Sequence, residues 1–127
     1  MRSAIQDIEE KLDSRLAELR AEGEDLTAEH EFIANFVGSD EVLRPAYRRL
    51  TALGCNGDPP RGCGWIYMHV RRPLARDSVL SLATELDGVA SSTGSLFELL
   101  DVAPLSGPRA GQPIILGVCD GEAFENA

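Results

Sequence analysis

Ile5, Ile8, Leu12, Leu16 and Leu19 return at steps of three and four with charged residues between them. This is the spacing of one helix face, so residues 3–21 are predicted to form an amphipathic helix, which Gly23 ends. Glu24 to Ala28 is a polar connection. From His30 to Val37 the period changes to two, with Phe32, Ala34 and Phe36 on one face of a predicted strand and Ile33 and Val37 on the other. Both faces are apolar, so both are expected to be covered.

Ser39, Asp40 and Glu41 form an N-terminal helix signal, and Val42, Leu43, Ala46, Tyr47, Leu50 and Leu53 carry a second helix to Gly54. Pro45 is best tolerated close to the first helical position, which shifts the expected start towards Leu43. Gly57-Asp58-Pro59-Pro60 is a turn, after a short strand around Cys55. Gly64 to Arg71 alternates most clearly, with Trp65, Tyr67 and His69 on one side and Ile66, Met68 and Val70 on the other. Val79, Leu80, Leu82, Ala83, Leu86 and Val89 mark a third helix, residues 76–90, which Ser91 to Gly94 breaks. Leu96 to Val102 and Ile114 to Val118 are the remaining strands.

After the first helix this order is an α+β, ferredoxin-like βαββαβ pattern: an antiparallel sheet with two helices on one face, preceded by an N-terminal amphipathic helix. The divisions are residues 1–23 for that helix, 24–104 for the α+β domain and 105–127 for a C-terminal extension with an extra strand. The aliphatic set Ile33, Val37, Ile66, Met68 and Val70 is the expected seat of the two helices. Phe32, Phe36, Trp65 and Tyr67 then fall on the opposite face, with the N-terminal helix across them.

At 127 residues and 43% hydrophobic content the chain suits one core. Acids within the first eleven residues argue against a secretory signal, and no apolar run reaches membrane-spanning length. The three cysteines, Cys55, Cys63 and Cys119, read as reduced thiols, and the expected location is the cytoplasm. The net charge of −9 disfavours general nucleic-acid binding. It is also uneven: residues 44–76 hold seven arginines and one acid, between segments holding twelve acids and four bases and eight acids and one base. That suits either internal charge balance or a polar surface for an oppositely charged partner.

Catalytic signals are weak, and the chain is read as a non-enzyme without cofactor or metal. His30 and His69 lie inside strands without a nucleophile motif, and Cys55 and Cys63 lack zinc-site spacing. The sharpest local signal is Arg61-Gly62-Cys63-Gly64-Trp65-Ile66-Tyr67-Met68, which resembles the RNP1 strand of RNA-recognition motifs; Phe32-Ile33-Ala34-Asn35-Phe36 echoes its companion strand. Cys63 and Met68 stand where that motif carries aromatics.

A second resemblance spans residues 12–102. Leu19-Arg20-Ala21-Glu22-Gly23-Glu24-Asp25-Leu26-Thr27, closing a charged helix ahead of an aromatic strand, resembles the start of the RraB family, protein inhibitors of ribonuclease E. Glu31 to Val37, Ser39 to Gly54, Gly64 to Val70 and Asp77 to Leu86 occupy the corresponding later places. Ser91-Ser92-Thr93-Gly94-Ser95 replaces the family's Asp-Gly-Trp-Gly-like segment, and Cys55 stands where an aromatic is usual. The resemblance implies a cytoplasmic regulator that contacts ribonuclease E, its arginine-rich non-catalytic region included, and slows RNA turnover. The partner-binding candidates are Glu22, Glu24, Asp25, Arg44 and Arg48. The alternatives are an RNA-binding module using Phe32, Arg61, Trp65 and Tyr67, and a homo-oligomeric structural domain joined through its aromatic sheet face. No membrane partner is expected, and the oligomeric state stays open.

Overall fold

Helix boundaries follow from the caps. Ser3 accepts the Gln6 N–H, and the Gln6 side chain accepts the Ser3 N–H, a reciprocal pair that fixes the start of α1 (Ala4–Ala21). After β1 (Glu29–Val37), the Ser39 carbonyl accepts the Leu43 N–H and opens α2 (Asp40–Ala52). This helix begins three residues ahead of Leu43, and Pro45 lies inside it. β2 (Asn56–Gly57) and β3 (Trp65–Pro73) lead to α3 (Arg76–Thr93). Ser92 and Thr93 stay helical, contrary to the expected break, with their hydroxyls bonded back to the Val89 carbonyl. Gly94, at φ 79°, ends the helix in the left-handed conformation that glycine adopts without steric cost. β4 (Leu96–Pro104) and β5 (Ile114–Val118) complete the order.

The computed structural model describes residues 2–107 and 109–119; residues 108 and 120–127 of the expected C-terminal extension lie outside them. Among the described residues the architecture is a mixed α+β fold with three helices and a five-stranded antiparallel sheet in the order β2-β3-β1-β4-β5. β5 adds a fifth strand beside β4, so the order differs from that of the four-stranded pattern expected. No helix among the described residues is long and apolar enough to cross a membrane.

Register decides which faces meet, and here the sequence-based phase of β1 is corrected. Phe32 lies opposite Val70, Ala34 opposite Met68 and Phe36 opposite Ile66, so Phe32 and Phe36 share the helix-covered face with Ile66 and Met68. Ile33 and Val37 stand on the other face, with Trp65 and Tyr67. Phe32, Phe36, Leu43, Leu50, Met68, Leu82, Leu86 and Leu100 are buried in one core, in which Phe36 and Phe97 stack with ring centres 5.5 Å apart.

The position of α1 is a second correction. It does not cross the aromatic face but packs against β5 and α3, so that all three helices share one side of the sheet. Two features set its seat. Gly117 of β5 lies so close to Ile8 that a β-carbon there would fall 2.3 Å from Ile8 Cγ1. Asp7, buried in the helix, accepts the Val118 N–H at 3.0 Å and pairs with Lys11 Nζ at 2.9 Å. Burial pushes the Asp7 carboxyl up, but the bonds from Lys11 and Val118 and the charges of Lys11 and Arg15 outweigh it, and the net shift is below the usual aspartate value.

A carboxyl depressed in the folded state stabilises above its unfolded pKa, and that stability is lost as pH falls through the folded value. Asp7→Asn is therefore expected to lower stability at neutral pH by about 1–3 kcal/mol. Its deficit should shrink in acid. Urea unfolding of both proteins at neutral and acidic pH checks this, and a deficit that is the same at both would show that the charge is immaterial.

Candidate binding face

With the helices gathered on one side, the other side of the sheet has no helix over it among the described residues. Register arranges its side chains in rows across the strands. Trp65, Val37 and Leu96 form the first row, and Tyr67, Asn35, Leu99 and Val118 the second. His69, Ile33, Asp101 and Ile115 form the third, and Arg71, Glu31 and Ala103 the last. Trp65 is 43% exposed and Tyr67 and Ile115 are each 46% exposed, which makes this the site of three of the large exposed apolar side chains. The Trp65 and Tyr67 rings lie 4.6 Å apart at 46°. Beside them, towards β2, a depression of about 410 Å³ is lined by Asp58, Arg61, Cys63, Trp65, Tyr67 and His69.

The centre of the face is polar. Asn35 is only 7% exposed, and its Nδ2 donates to Glu98 Oε1 at 2.8 Å. A carboxylate can only accept, so this bond fixes which way the amide points. Asn35 Oδ1 and Asp101 Oδ1 are both buried, and neither meets a donor among the described residues. Burial pushes the Asp101 carboxyl above its ordinary pKa.

The residues singled out from sequence separate into groups. Trp65 and Tyr67 stand together on one face of β3 as expected, but exposed instead of covered by α1, and Arg61 borders them while paired with Asp58 at 3.0 Å. Phe32 is fully buried on the opposite side and cannot stack on a base, which removes it from the RNA-binding set. Glu22, at the end of α1, pairs with Arg109. Glu24 binds Nε2 of the buried His30 at 2.8 Å, while His30 Nδ1 meets the Ala28 carbonyl at the same distance. Asp25 accepts from the Thr27 hydroxyl and N–H, which hold its pKa down. Glu24 and Asp25 thus have local structural tasks. Arg44 and Arg48 are exposed on α2, with Arg44 3.8 Å from Asp40.

Asn35 and Asp101 were not among the sequence candidates. Each interrupts an apolar run, Phe32-Ile33-Ala34-Asn35-Phe36-Val37 and Leu99-Leu100-Asp101-Val102, and that interruption is the signal that marks them. Comparison of the chain with protein-family models, curated proteins and solved structures finds no match.

Proposed function

We propose that this chain is a non-catalytic binding protein of the cytoplasm that docks a polypeptide partner on the open face of its sheet. The observation that carries this reading is the composition of that face. Trp65, Tyr67, Ile33, Val37, Leu96, Leu99 and Ile115 supply aromatic and aliphatic area, while the charged groups are Arg71, Glu31, Glu98 and Asp101. Exposed aromatic and aliphatic area around a few buried polar groups is what a protein interface uses. RNA needs cations along a phosphate path, and this face has more acids than arginines.

The inner strands β2-β3-β1-β4, with α2 and α3 as their connections, support a ferredoxin-like unit to which α1 and β5 are additions. The resemblance of residues 12–102 to the RraB family makes ribonuclease E the first partner to try, as a regulator of RNA turnover would require. Calorimetric titration of the chain into the non-catalytic region of ribonuclease E, with single-stranded RNA in parallel, tests both the class and the name. Binding to the protein alone is expected, and Trp65→Ala with Tyr67→Ala should weaken it by about a hundredfold, as for two central aromatic anchors. Binding to RNA alone, lost in the same double variant, would establish the nucleic-acid reading instead.

A further inference from the structure

The centre of the open face is short of donors. Asn35 Oδ1 and Asp101 Oδ1 are acceptors, Asn35 is more than nine-tenths buried, and the Glu98 carboxylate next to it can also only accept. Asn35 pairs in register with Leu99, and Asp101 with Ile33, so the two acceptors are diagonal neighbours on β1 and β4. Diagonal positions on adjacent strands lie about 7–8 Å apart at the backbone, and their side chains approach more closely. A planar fork with several N–H groups can serve both at once.

From this we propose that the central polar site takes an arginine side chain of the partner, its guanidinium donating to Asp101 and Asn35 and lying against the ring of Tyr67. The proposal rests on the reading of the open face as the docking surface and specifies what the partner must bring. Three observations support it. The free acceptors specify a donor; Asp101 and Glu98 specify a cation; and the exposed rings of Tyr67 and Trp65, in the adjoining positions, offer the flat surface on which guanidinium stacks. The net charge of −9 draws a basic segment towards the chain. Burial already raises the pKa of Asp101, so a cation there would relieve an unfavourable charge. In the free chain both oxygens are sealed from solvent, so entry requires the surrounding side chains to turn aside.

The test uses the full chain and a short fluorescein-labelled peptide of alternating arginine and glycine, with a lysine-glycine twin, followed by anisotropy at about 0.15 M salt. The arginine peptide should bind about tenfold more tightly than the lysine twin. Asp101→Asn should remove about a factor of ten, and Glu18→Gln, exposed on α1 on the other side of the sheet, should change nothing. Asp101→Asn also removes a desolvated charge, so it should fold at least as well as the parent; circular dichroism confirms that the comparison is between folded proteins. Equal affinity for the two peptides, no binding, or an Asp101→Asn chain that binds like the parent would overturn the assignment. So would concentration-dependent self-association abolished by Trp65→Ala, since a second copy would then be the occupant. If the arginine site fails while the partner titration still depends on Trp65 and Tyr67, the docking face stands and only its central ligand is wrong.

Discussion

Phe32→Ala is expected to cost the fold about 3–5 kcal/mol, a large share of what holds a domain of this size together. Phe32 is fully buried between the sheet and the helices, so its removal leaves a cavity that the surrounding packed side chains fill only in part. The contrast with Trp65 makes the experiment informative. Trp65 is exposed on the other face, and Trp65→Ala should change stability by no more than about 0.5 kcal/mol while removing partner contacts. Urea unfolding of the two variants checks the register of β1 against β3. Were Phe32 the tolerant position and Trp65 the costly one, the two faces would have been assigned the wrong way round.

Gly117→Ala should be the most damaging change outside the central core. The glycine backbone is not in the left-handed region, so alanine meets no conformational objection there, and the whole effect is steric. Its β-carbon would lie 2.3 Å from Ile8 Cγ1, 3.0 Å from the Ala4 carbonyl oxygen and 3.1 Å from the Ile8 nitrogen. A side chain can rotate away, but two of these atoms are backbone, so α1 itself must lift from β5. The expected loss is about 1–3 kcal/mol. Much of it should appear as faster amide exchange within α1 and across its contact with β5, because the bond from Val118 N–H to Asp7 is stretched by the same movement. Ile8→Ala, costly by itself because Ile8 is fully buried, should cost less in the Gly117→Ala background than in the parent, since it removes the nearest clashing atom. Full stability of Gly117→Ala alone would mean that α1 is not seated there.

Element positions were legible in the sequence where they rest on local chemistry: the three-four spacing of Ile5 to Leu19 and the alternation from Trp65 to Val70; Gly57, read as the start of a turn, belongs instead to β2. The pairing of faces was not. In β1 both alternating sets look apolar, Phe32-Ala34-Phe36 against Ile33-Asn35-Val37, and aromatic character suggested grouping the phenylalanines with Trp65 and Tyr67. The register places them apart, and the one polar member, Asn35, belongs to the open side. The seat of α1 was hidden for a different reason. Gly117 reads as an ordinary weak point in a short strand, and only the contact across some 110 residues shows that its missing side chain makes room for a helix. Of the candidate face, Trp65 and Tyr67 stood out in the sequence by their motif; Asn35 and Asp101 did not, because a donor deficit is a property of the assembled surface.

The contact between α1 and β5 also sets an order of events during synthesis. α1 precedes every strand in the chain, while Gly117 and Val118, which seat it, come after all the other elements. As the nascent chain lengthens, β1, β3 and β4 can pair and bury their phenylalanines while the apolar stripe of α1 still has no β5 to pack against. Only the contacts of α1 with α3 and β4 can form before β5; the seat at Gly117 and Val118 closes last.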